Sequence, residues 1–155
     1  MEQRIWIYTL SKELSKEELS QLLSNCNRFV NIWTAHDNKL TADCEIVKQR
    51  LLIMKVDESD YRASGCSMDK LNRFILEQEA SFSIQLLNRL LVAIDKNNEV
   101  EVIHSSKISD LLKSGEMNEN TLVYDNTITS TSQMPVWKKP LKETWLSKFL
   151  NSTVI

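Results

Sequence analysis

The chain has 155 residues, 42% hydrophobic and 26% charged, an ordinary globular composition with enough length for one well-cored domain. Its 19 basic and 21 acidic residues leave a formal charge of -2 and are scattered, with no run of Lys or Arg to track a phosphate backbone, so nucleic acid is not the expected partner. The three cysteines, Cys26, Cys44 and Cys66, are odd in number and lack metal-ligand spacing, which argues against a disulfide framework or a zinc knuckle. A divalent cation on His36, Asp57 and Glu58 has no His-x-x-x-His or Asp-x-Asp spacing to support it. No cofactor is expected, and Cys26 and Cys44 read as small core residues.

Met1 to Arg4 is too short and polar for a signal peptide or membrane span, so a cytoplasmic protein is expected. Arg4 to Leu10, rich in Ile, Trp and Tyr, predicts a strand. Ser15 with Glu18 forms a capping box, Leu14 and Leu19 match a hydrophobic staple, and Leu22, Leu23, Cys26, Phe29, Val30 and Trp33 continue at helical spacing. Thr41 to Lys48 alternates, with Ala42, Cys44 and Ile46 on one face, and Arg50 to Val56 is a second, more apolar run; together they predict a hairpin turning at Gln49. A second helix follows Ser64 or Ser67, its stripe made by Met68, Leu71, Phe74, Ile75 and Phe82. Leu90 to Ile94 and Val100 to Ile103 then pair across the Asp95-Lys96-Asn97-Asn98 turn.

The first four strands and two helices give the order β-α-β-β-α-β, so the expected fold is α+β with a ferredoxin-like core over 1–104 and a C-terminal α/β extension over 105–155, all in a single domain. In the extension, Ser106 to Lys113 predicts a short helix closed by Gly115, Leu122 to Tyr124 a small strand, and Thr127 to Gln133 a loop. Leu141, Trp145, Leu146 and Phe149 form the apolar face of a last short helix, which must bury on the open side of the sheet or on a second subunit, as in a homo-oligomer.

Polar chemistry concentrates in the segment from Val56 to Asp69. Ser64 can cap the second helix, Gly65 lets backbone N-H groups approach a guest, and Cys66 falls in the first turn, where the helix dipole favours anions and thiolates. A ferredoxin-like topology brings the His36 loop, the 57–66 loop, the start of the first strand at Arg4 and the exit of the fourth strand at Asp95 to one end of the sheet. Arg62, Ser64, Gly65, Cys66, Ser67 and Asp69 are then candidate ligand-binding residues for a small anion or a partner's acidic terminus. Cys66 as nucleophile, His36 as base and Asp57 as its orienter are candidate catalytic residues. The plainer alternatives are a packing Cys66, a loop-bonded His36 and a solvated turn at Asp57 and Glu58.

The segments Trp33-Thr34-Ala35-His36, Val56-Asp57-Glu58-Ser59, Ala63-Ser64-Gly65-Cys66-Ser67-Met68-Asp69 and Pro140-Leu141-Lys142-Glu143-Thr144-Trp145-Leu146 resemble a family of short bacterial proteins commonly labelled ABC transporter ATPase. The resemblance implies no established activity. The label itself requires a Gly-x-x-x-x-Gly-Lys-Ser/Thr phosphate loop, whereas this chain has only Gly65 and Gly115 and no Leu-Ser-Gly-Gly-Gln signature. The reading is a binding or regulatory module with a polar pocket at the second helix's N-terminus, with a thiol enzyme or a purely structural interaction protein as alternatives.

Overall fold

The run Leu51-Leu52-Ile53-Met54 has no polar face, so a sheet that contains it needs cover on both sides. In the computed structural model, which describes residues 2–151, this run lies in the central strand of a three-stranded antiparallel sheet. The elements in chain order are β1 (Arg4–Thr9), α1 (Lys16–Ile32), β2 (Thr34–Ala35), β3 (Asn38–Lys39), β4 (Thr41–Val47), β5 (Leu51–Asp57), α2 (Gly65–Phe82), β6 (Leu91–Lys96), β7 (Glu99–His104), α3 (Ile108–Ser114), β8 (Leu122–Tyr124), β9 (Lys138–Pro140) and α4 (Lys148–Asn151). Short 3-10 turns fill 105–107, 131–136, 141–143 and 145–147.

The first sheet has the order β1-β5-β4, with Arg4 opposite Val56 and Val47 opposite Leu51. Period-two alternation divides its side chains. Tyr8, Cys44, Leu52, Met54 and Val56 pack under α1 and α2, while Ile5, Ile7, Leu51 and Ile53 face the other way. That second face is covered by Ala93, Val100, Val102 and Tyr124 from a second sheet of order β7-β6-β8-β9. The far side of the second sheet, with Val92, Ile94 and Val123, is closed by Ile108 of α3 and by Leu141 and Leu146 of the tail. The layers therefore run helix, sheet, sheet, helix, and the tail's apolar face buries inside its own chain.

The fold is α+β with a βαββαβ element order, as expected. The fourth strand of that order, β6, hydrogen-bonds to β7 and β8 in the second sheet, and the start of β1's edge is paired instead with the tail. Ile5 donates to the Thr129 carbonyl at 2.9 Å and Thr131 donates to the Gln3 carbonyl at 2.9 Å, with a bridge between Arg4 and Ser130. This covers the beginning of an edge that would otherwise present unpaired backbone groups there.

The local signals act as read. Ser15 and Glu18 form the capping box of α1 and Ser64 caps α2. Gly115 ends α3 at φ 81°, a left-handed conformation that glycine adopts without a Cβ clash. The β4-β5 turn sits at Lys48 and Gln49, both with positive φ, as a two-residue hairpin loop with matching twist demands.

The second sheet's outer pair is tied by Asp125, which is buried just after β8. Its carboxylate accepts from Lys139 Nζ at 2.8 Å and from the Thr127 backbone N-H at 2.9 Å. Burial works to raise its pKa, but the bonds from Lys139 and Thr127 and the Lys139 charge outweigh it and hold the carboxyl below its ordinary value. Because the folded-state pKa is the lower one, the contribution to stability is complete above the unfolded value of about 3.9. It is lost as pH falls through the folded value. Urea midpoints of wild type and Asp125→Asn should therefore differ by a constant amount above about pH 5, with wild type the more stable, and the gap should close progressively below about pH 4.

Candidate functional site

The two serine side chains at the N-terminus of α2 are engaged in its own fold. Ser64 Oγ accepts the Ser67 backbone N-H at 3.2 Å, and Ser67 Oγ accepts the Ser64 N-H while donating to the Ser64 carbonyl at 2.8 Å. Ser67 is completely buried, and its carbonyl accepts the indole N-H of buried Trp33 at 2.8 Å. Both hydroxyls thus serve the helix start rather than an open pocket. Gly65 is exposed, and nothing lies within 4 Å of the position a Cβ would take there, so no neighbouring part of the chain requires a glycine. Arg62, Cys66 and Asp69 are exposed around this turn.

The expected catalytic residues are distributed rather than assembled. His36 and Asp37 form the turn of the β2-β3 hairpin, both with positive φ, and His36 lines a shallow hollow of about 370 Å³ with Tyr61, Arg62 and Ser64. Asp57 lines a different hollow with Arg4, Glu58 and Ser130. The Ser59 hydroxyl and its backbone N-H, at 2.9 Å, both donate to Asp57 and hold its carboxyl below the ordinary range. Glu58 links strand and loop, accepting the Ala63 N-H at 2.8 Å and pairing with Arg4 at 3.7 Å. Cys66 stands outside the His36 hollow, on the exposed first turn of α2.

One placement from the assumed topology is corrected. The exit of β6 at Asp95 does not join this end of the molecule. Asp95 pairs with Val100, and Asn98, Glu99 and Val100 share a hollow with Lys48, Gln49 and Arg50 of the β4-β5 turn, at the opposite end of the first sheet. The reason is the departure of β6 into the second sheet, which removes the strand direction that a four-stranded sheet would have imposed.

A larger recess than any of these hollows lies elsewhere, between α1 and α2. It has a volume of about 600 Å³ and a floor of aromatic rings. Phe29 stacks on Phe74 with centroids 4.5 Å apart, Trp33 lies 5.2 Å from Phe29, and Ile32 stands 75% exposed at the rim. Arg28, Lys70 and Arg73 line it against the single carboxylate of Glu77, a local excess of positive charge in a chain of net -2. Lys70 donates to Thr34 Oγ1 at 2.8 Å, Arg28 donates to Asn25, and Asn25 Nδ2 donates to Gln78 Oε1 at 2.8 Å across the two helices.

Sequence reasoning assigned Phe29, Trp33 and Phe74 to the core and passed over the cations. The signal was present at helical spacing, since Lys70, Arg73, Phe74 and Glu77 fall on one face of α2, as do Arg28, Phe29 and Ile32 on α1. Among the described residues no group of three or more His, Cys, Asp or Glu side chains is placed to hold a metal ion, and no helix is long and apolar enough to cross a membrane. No family model matches the chain, and comparison with curated proteins and with solved structures found no match.

Two substitutions separate a helix start from a ligand-gripping loop. Ser64→Ala should lower unfolding free energy by about 1 kcal/mol through loss of the cap. Gly65→Ala should leave stability unchanged or raise it by up to about 1 kcal/mol, because an exposed helical position gains from alanine. Urea titration of both variants checks this, and marked destabilisation by Gly65→Ala would show that the turn needs its glycine.

Proposed function

We propose that the protein is a non-catalytic binding module whose α1–α2 groove takes an anionic ligand with an apolar body. The observation that carries this reading is the juxtaposition of an aromatic floor, Phe29, Trp33 and Phe74, with Arg28, Lys70 and Arg73 at its margin. Apolar contact supplies a favourable free energy proportional to the area covered, and the cations supply orientation and preference for negative charge. Among the described residues none of these three cations is in a salt bridge, so a ligand's carboxylate, sulfonate or phosphate competes with water and with neutral acceptors, Thr34 at Lys70 and Asn25 at Arg28. A recess of about 600 Å³ falls within the usual range for small-molecule sites.

The groove begins where Trp33 meets the first turn of α2, one turn along from the corner that the sequence points to. An anion at that corner would find Arg62, His36 and backbone N-H groups but not the serine hydroxyls, which are taken. A thiol enzyme has less support, since Cys66, His36 and Asp57 occupy three separate surroundings. ATP hydrolysis has none, for want of a phosphate loop.

The probe 8-anilinonaphthalene-1-sulfonate combines an aromatic body with one negative charge and reports burial by fluorescence. Titration should give saturable binding that weakens with added salt, at least tenfold weaker in Arg28→Glu and Arg73→Glu and unchanged in Arg62→Glu. Loss confined to Arg62→Glu would move the site to the start of α2, and equal binding by all three variants would overturn the groove. Competition by a free aromatic carboxylate, set against competition by a peptide with an acidic C-terminus, distinguishes a small ligand from a partner's chain end.

A further inference from the structure

Cys26, in the middle of α1, and Cys44, on β4, point into the same core from two different layers. The Cys44 sulfur donates to Asn27 Oδ1 at 3.3 Å, which sets it against the α1 residue next to Cys26. Each thiol is the leading influence on the other's acidity, as expected of two sulfurs facing each other across that core. Their surroundings differ. Cys26 has no exposed surface, whereas Cys44 retains 8% exposure on a strand at the edge of its sheet.

We propose that Cys26 and Cys44 are a redox pair that closes to a disulfide between α1 and β4 when the protein meets a peroxide. Cys44 is the attacking thiol. The Cys26 thiol favours its thiolate, which burial opposes; beyond these, the Asp43 charge disfavours it, the Lys55 charge favours it and the Glu45 charge disfavours it, with the balance toward the thiolate. Cys26 is the resolving thiol, kept protonated by Cys44 and by burial. Cys44 thiolate attacks one peroxide oxygen, the O-O bond breaks, and Cys44 becomes a sulfenic acid as hydroxide leaves. The Cys26 sulfur then attacks Cys44 sulfur, the S-O bond breaks, and the departing oxygen takes the Cys26 proton to leave as water. The two thiols lose two electrons and two protons, and the peroxide is reduced to two waters. A disulfide requires the two sulfurs to come within about 2.05 Å of each other, a movement shared between α1 and the edge strand β4.

Cys66 is exposed and would form intermolecular disulfides of its own, so the test uses the full chain carrying Cys66→Ser. The protein is treated with hydrogen peroxide, its remaining thiols are blocked with N-ethylmaleimide under denaturing conditions, and it is digested with trypsin without reductant. The peptides 17–28 and 40–48 should appear covalently joined, two hydrogens lighter than their sum, and should separate with dithiothreitol. The joined form should raise the urea midpoint relative to the reduced protein, and Cys44→Ala should slow peroxide consumption at least tenfold while Cys26→Ala leaves Cys44 trapped as sulfenic or sulfinic acid. Recovery of both peptides as N-ethylmaleimide adducts after peroxide treatment, or Cys44 sulfinic acid beside unmodified Cys26 in the parent, would overturn the proposal. The peptide map of the parent decides the matter even where an alanine variant fails to fold.

Discussion

The architecture depends on β5, a strand with no side fit for water along most of its length. Leu51, Leu52, Ile53, Met54 and Val56 are all fully buried, which places apolar side chains on both faces of the sheet it centres. A sheet of this kind is ordinarily covered by helices on each side. Here two helices cover one face, and the chain, having used α1 and α2, supplies a second sheet for the other. The second sheet inherits the same problem on its own outer side, and α3 and the tail turns resolve it. Four layers follow from one strand's refusal of solvent.

That requirement also explains the tail's course. With β6 serving the second sheet, β1 would be left as an edge whose N-H and C=O groups face solvent. The 129–131 segment pairs with its beginning while Ile128 and Trp137 bury between the sheets. The tail is thus part of the fold's closure at two places, along β1 and over the outer face, where Leu141 and Leu146 are buried. An extension that does this is integral to the domain rather than appended to it.

What was legible in the sequence was local, and what was not was a choice among partners. The Ser15/Glu18 box, the Lys48-Gln49 and Asn97-Asn98 turns and the Gly115 stop act through residues within a few positions, and each stands where its chemistry places it. The β2-β3 hairpin escaped because its turn is His36-Asp37 rather than a glycine-containing pair, so the left-handed residues carry no compositional mark. The pairing of β6 escaped because alternation shows which residues share a face but not which strand lies alongside; Leu91 to Ile94 would suit either sheet. At the candidate site, the residues of the 57–69 corner were found as a cluster. Their division into two hollows and an exposed first turn depends on Ser59, Ala63 and Arg4 making bonds to Asp57 and Glu58 that spacing does not encode. The groove was hidden differently, since stacking at 4.5 Å makes Phe29 and Phe74 at once core residues and a surface floor.

Trp33 joins the two regions that compete for a functional reading. Its indole N-H is bonded to the Ser67 carbonyl inside the first turn of α2, while its ring extends the aromatic floor of the groove and meets Trp6 of β1 edge-on at 5.8 Å. A buried donor that lost this acceptor would be left unsatisfied at a cost of about 1–3 kcal/mol, so the ring cannot readily tilt away from the groove. The same bond therefore fixes the cap that occupies the serine hydroxyls and the floor on which an apolar ligand would rest. Polar residues at the start of α2 are spent on holding Trp33 in place. The surface gained by that expenditure is the groove, where rigid aromatic area coincides with positive charge that no described salt bridge neutralises.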